Sequence, residues 1–152
     1  MSHESKQGEG GFTLIEIVIV VALLGVLSAI AVPALQQWIA RQQLRQATTE
    51  LAGNLNLART AAMSRGTGIA VTTAMNGGKA TLTFGGVFRP VELNDKITNI
   101  TATTIGFSPF GLRTGGGTTN TLISLTPLSG GAYSVAVTPA GKITWCAKTT
   151  CP

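Results

Sequence analysis

Residues 11–40 read GFTLIEIVIVVALLGVLSAIAVPALQQWIA, and from Ile17 to Ala40 the chain runs 24 positions without a charge. As a helix rising 1.5 Å per residue, such a run spans the ~30 Å hydrocarbon core of a bilayer. A helix apolar on every side has to be covered, and a chain of 152 residues cannot surround it with its own core. Insertion into a membrane is the expectation. A secretory signal would pair a basic start with a shorter apolar core and a cleavage site beyond it. Here the run is too long, and the start, MSHESKQGEG, sets Lys6 against Glu4 and Glu9. Arg41 and Arg45 follow the run and outnumber Lys6 before it, so flanking charge alone would keep the C-terminal part on the cytoplasmic side or leave the orientation undecided.

Glu16 is the odd residue in this stretch. A carboxylate placed in lipid without a partner costs about 2.5–3.5 kcal/mol on insertion scales, so an intramembrane acid points to function unless it merely sits at the interface near the helix start. Cleavage just before Phe12 would supply the partner, because the new α-amino group would lie four residues from Glu16, about one helical turn.

The segment Gly11-Phe12-Thr13-Leu14-Ile15-Glu16, with the apolar run and Pro33 behind it, resembles the N-terminus of type IV pilins and type II secretion pseudopilins. That resemblance implies a prepilin peptidase that cuts after Gly11 and methylates Phe12. It also implies a Glu16 carboxylate that pairs with a neighbouring subunit's N-terminal amine during filament assembly. The weakly charged leader departs from the basic leader usual in the family. The implied location is the bacterial inner membrane, single-pass, with the leader inside and the C-terminal domain in the periplasm, followed by incorporation into a pilus or pseudopilus. The division that follows is a cleaved leader over 1–11, a transmembrane and assembly half-helix over 12–35 and an exported domain over 36–152.

Beyond Pro33, which should kink the helix, Leu44, Ala47, Leu51, Leu55, Ala58 and Ala62 recur at spacings of three and four, one face of an α-helix that runs from about 13 to 64. Arg41, Arg45 and Arg59 lie off that stripe and read as a solvated face. At Arg65-Gly66 the helix stops and the period changes. Ile69–Met75 and Lys79–Phe84 read as a hairpin across Asn76-Gly77-Gly78, Ile97–Ile105 as one Thr- and Ile-rich strand, and Thr121–Leu125 as another. Ala132–Thr138 pairs with Lys142–Ala147 across Pro139-Ala140-Gly141. The expected fold is α+β, a long N-terminal helix packed on a C-terminal antiparallel sheet domain.

Gly106-Phe107-Ser108-Pro109-Phe110-Gly111 and the stretch from Val135 to Ile143 look like the C-terminal domain of GspH and FimT-type minor pilins. That similarity implies a minor subunit at or near the tip of the filament, with other pilins as partners. Cys146 and Cys151, with no other thiol and too few ligands for zinc, read in an exported domain as a disulfide, two free thiols being the alternative.

Chemistry is sparsely provided for. Only 11% of residues are charged, the single His3 lies in the leader, and the acids from Phe12 onward are Glu16, Glu50, Glu92 and Asp95, the last two flanking an expected turn. No nucleophile and base can be paired, so no enzyme, cofactor or metal site is expected. The glycines at 115–117 and 130–131 precede no helix and read as flexible loops, not phosphate cradles. From Ala34 on, ten Lys and Arg face three acids, a net of about seven positive charges that would attract polyphosphate. DNA uptake is thus an alternative function. DNA-binding members of the FimT-like group carry Gly-Arg-x-Arg where this chain has Gly141-Lys142-Ile143-Thr144. Lys142, and Arg113 in a Gly-rich loop free to reach a backbone, are the candidate DNA contacts.

Processing makes the first test. Intact mass of protein from its native membrane should correspond to a chain that starts at N-methylated Phe12, whereas an uncut Met1 or cleavage beyond Ala29 would remove the family reading.

Overall fold

The computed structural model describes residues 11–93, 97–115, 117–127 and 131–151. The leader residues 1–10, Asp95, Gly116 and Gly130 lie outside the described residues. One helix, α1, runs Leu14–Arg65 and continues through Pro33. The chain divides into two compact units, Met1–Gln36 and Gln37–Pro152. In the first, the apolar side chains from Leu14 to Leu35 are exposed.

In the second unit the period of the sequence becomes the packing. All six residues of the expected stripe are buried, joined by Thr48, Ala52 and Ala61. They meet two antiparallel sheets in one hydrophobic core. Among the described residues nine strands follow α1: β1 Ile69–Asn76, β2 Lys79–Thr83, β3 Val91–Glu92, β4 Ile97–Ile100, β5 Thr103–Phe107, β6 Arg113–Thr114, β7 Thr121–Pro127, β8 Tyr133–Val137 and β9 Ile143–Cys146. The first sheet has the order β3-β2-β1-β5-β6 and the second β4-β7-β8-β9. Val71, Leu82, Ile105 and Phe107 of the first sheet, Phe84 just after β2, and Ile123, Leu125, Val135 and Val137 of the second sheet complete the core with α1.

The β1–β2 hairpin pairs Asn76 with Lys79 across Gly77 and Gly78, both at positive φ, as a two-residue turn requires if the strands are to keep their right-handed twist. The expected strand 97–105 is two strands in different sheets. Burial of Ile97 and then Ile100 breaks the two-residue alternation at a register shift, and the alternation resumes with Ile105 and Phe107. The crossover at Thr101 is held from both sides. Its amide donates to the Ser124 carbonyl at 3.0 Å, and its carbonyl accepts from Thr73 Oγ1 at 2.7 Å. Glu92 ends strand β3 and forms a salt bridge with Lys79 at 2.9 Å, and the turn expected between it and Asp95 lies outside the described residues.

Leu51 is fully buried at the middle of the stripe. Leu51→Ala should destabilise the globular unit by about 2–5 kcal/mol, read as a lower urea midpoint with unchanged slope, since both sheets lose contact atoms at once.

Candidate functional site

Two regions carry the residues singled out by sequence. At the N-terminus, Gly11, Phe12 and Thr13 precede the helix and are exposed, and Glu16 lies in its first turn. Thr13 caps α1: its carbonyl accepts from the amides of Glu16 at 3.1 Å and Ile17 at 3.3 Å, and its Oγ1 accepts from the Glu16 amide at 3.3 Å. Thr-Leu-Ile-Glu is the pattern of a capping box, a signal present in the sequence that a search for chemistry passes over. The cap sets where the helix begins, and with it the offset of Glu16 from Phe12. The first turn is also where the helix dipole favours a carboxylate. Among the described residues Glu16 has no ion-pair partner. Phe12 is 78% exposed, and the apolar surface that follows it is uncovered.

The second region lies in the globular unit, where the two distal motifs meet. Ser108-Pro109-Phe110-Gly111 and Thr138-Pro139-Ala140-Gly141 form the same turn twice. In each, the Gly amide donates to the Ser or Thr carbonyl at 2.9 Å. In each, the hydroxyl accepts an amide four residues on, Leu112 to Ser108 Oγ at 3.2 Å and Lys142 to Thr138 Oγ1 at 3.1 Å. The turns are then fastened together, the Arg113 amide donating to the Pro139 carbonyl at 3.1 Å and Arg59 Nε to the Gly111 carbonyl at 2.8 Å. Gly141, at φ +76°, packs so closely on the Gly111 carbonyl and Arg59 that a Cβ would overlap the carbonyl oxygen. Phe110 (83% exposed), Leu112 and Met63 leave an apolar patch beside the joined turns.

Arg59 is therefore not part of a solvated face. It flanks the buried stripe beside Leu55, Ala58 and Ala62, close enough for its stem to be half-buried and its guanidinium to reach the Gly111 turn. Arg113 also differs from expectation. It is 8% exposed, and its guanidinium donates to the carbonyls of Gly115 (2.9 Å), Gly117 (3.0 Å) and Thr119 (2.6 Å) and to Thr121 Oγ1 (2.5 Å). The loop wraps the arginine, so the group is engaged and does not reach outward to a phosphate. Lys142 is exposed at the end of the second turn. Cys146 and Cys151 form a disulfide with Cα atoms 5.7 Å apart. The loop it closes is tied to β8 by Ser134 Oγ donating to the Thr149 carbonyl at 2.8 Å.

A profile of the prokaryotic N-terminal methylation motif matches residues 6–32. The fimbrial protein EcpC of Eikenella corrodens is 55% identical over 42 residues, 28% of either chain, and the type IV major fimbrial protein FimA of Dichelobacter nodosus is 51% identical over 45 residues, 30% of this chain and 29% of its own. The chain thus spans less than a third of the length of the curated relatives it matches. The fold has a match over a longer stretch. The crystal structure of the type IV minor pilin FimU of Pseudomonas aeruginosa superposes with a TM-score of 0.55 at 17% identity, over 72% of this chain and 97% of that one. The chain therefore carries an N-terminal segment similar to those of type IV fimbrial proteins, with their methylation motif, on a type IV pilin fold. In this chain the motif, the exposed apolar helix and the two-sheet head occur in one molecule, and Lys142 is the outward-facing one of the two cations put forward for DNA.

Arg113→Ala should destabilise the head by about 1.5–3 kcal/mol, because the hydrogen bonds of a buried charged donor to Gly115, Gly117, Thr119 and Thr121 are lost. Lys142→Ala should change stability by less than about 0.5 kcal/mol. If polyphosphate binds, Lys142→Ala alone should lower the salt slope by about one contact. Urea denaturation and DNA titration at several salt concentrations separate the two effects.

Proposed function

We propose that this chain is a minor subunit, a structural component at or near the tip of a type IV pilus or of a type II secretion pseudopilus, assembled through its N-terminal helix and Glu16. The observation that carries the proposal is the uncovered apolar surface from Leu14 to Leu35 with one carboxylate in its first turn. A bilayer covers that surface while the subunit is stored, and the helices of other pilins cover it after assembly, so one surface serves both states. Glu16 has no cation among the described residues and is satisfied when a neighbour's N-terminal amine arrives. The ion pair thus supplies register as well as attraction. The prepilin peptidase prepares that chemistry by cutting between Gly11 and Phe12, and the inner membrane holds the subunit, head outward, until it is extracted.

The minor role rests on the paired Ser/Thr-Pro-x-Gly turns in the motifs that resemble the GspH and FimT group. DNA uptake is the second reading, with Lys142 as its contact. Burial of Arg113 removes one of the two cations on which that reading stood.

Glu16→Val should leave cleavage and membrane insertion intact while lowering incorporation into filaments, measured by cross-linking to neighbouring pilins in membranes and sheared filaments. Equal cross-linking in wild type and variant would mean that the carboxylate does not set assembly in this subunit.

A further inference from the structure

A second cluster in the globular unit has no part in the joined turns. Tyr133 begins β8 and Trp145 lies near the end of β9. Their rings stack, with centroids 6.1 Å apart and planes 20° from parallel. Both stand on the core side of their sheet, since Tyr133 pairs with buried Leu125 and Trp145 with buried Val135. Trp145 nevertheless remains 39% exposed, at the margin of the core. The Arg45 guanidinium lies 5.7 Å from the centre of its ring. On the helix, Trp38, Arg41 and Arg45 follow at spacings of three and four, which puts them on one face, and Trp38 and Arg41 are exposed. An open depression beside Arg45 is lined by Gln42, Gln46, Thr49 and Glu50.

These residues stand next to the end of the uncharged run, which closes at Ala40. Trp and Tyr settle at the headgroup level of a bilayer, because the ring is apolar and the N–H or O–H is wet. Arginines beside them meet lipid phosphates, and their stems cover apolar surface. We propose that Trp38, Arg41, Arg45, Tyr133 and Trp145 form an interfacial surface that rests the head on anionic phospholipid headgroups while the subunit is stored in the membrane. This inference rests on the reading of the apolar run as membrane-spanning. Charge favours lipid over a second copy of the chain as the occupant. The chain from Ala34 onward carries about seven net positive charges, so copies repel, whereas Glu50 is the one acid along the depression.

The test uses the full chain reconstituted in vesicles of phosphatidylcholine, with or without phosphatidylglycerol, that carry lipid brominated near the headgroup. Trp38→Phe leaves Trp145 as the reporter of the surface, and Trp145→Phe leaves Trp38 as the reporter of the span. Trp145 emission should be quenched in vesicles containing phosphatidylglycerol, less in phosphatidylcholine alone, and less at high salt. Arg41→Gln removes an exposed charge that the fold does not need and should lower the ratio of docked to undocked head about fivefold. Arg45→Lys, which keeps the charge, should retain docking. Quenched Trp38 with unquenched Trp145 would overturn this inference and leave the span intact. Failure of both to be quenched would overturn the membrane reading itself. Shielding of Trp145 that appears only when another pilin is added would assign the surface to a filament neighbour and overturn the inference as well.

Discussion

The globular unit depends on one shared stripe. Neither sheet has a closed core of its own, and both complete it with the same buried face of α1 from Leu44 to Ala62. A sheet with one uncovered apolar face is not stable in water, and two such faces on one helix form a single cooperative core. The alanines at 47, 58 and 62 are fully buried, so small side chains suffice where the sheets meet the helix. The helix is therefore the centre of the head.

Polar fastenings then fix what the apolar core leaves loose. Hydrophobic packing is non-directional and would tolerate small shifts of the two sheets. Arg59, the Arg113 amide and the Thr101 crossover join segments distant in sequence through backbone carbonyls and amides, which are directional. The two matching proline–glycine turns place Gly111 and Gly141 in contact, where Gly141 has no room for a side chain. Arg113 performs the same service for the glycine-rich loop, donating to the carbonyls of Gly115, Gly117 and Thr119.

The N-terminal unit obeys a different constraint. From Leu14 to Leu35 its surface is largely apolar, and among the described residues every position in that stretch is exposed. Surface of that kind is stable in lipid or against similar helices, which makes the single carboxylate conspicuous energetically. Thr13 caps the helix just before that carboxylate, so the local structure that starts α1 also sets Glu16 in its first turn.

From its amino acids alone the chain declared the apolar run of membrane length, the buried helical face and most strands, because these are local periodicities and spacings. The six-residue stripe entered the core as its spacing required, and the C-terminal hairpin paired across Pro139-Ala140-Gly141. Local pattern could not show that residues 97–105 cross between sheets, since a strand's partner is chosen by distant segments and a single bulge suffices to redirect it. Nor could it show that Arg113 lies inside its own loop, that Arg59 reaches Gly111, or that Arg45, Tyr133 and Trp145 meet. Charge type is written in the sequence, but whether a guanidinium faces water, carbonyls or an aromatic ring depends on which backbone the fold brings within about 3–6 Å of it, and only the tertiary structure decides that.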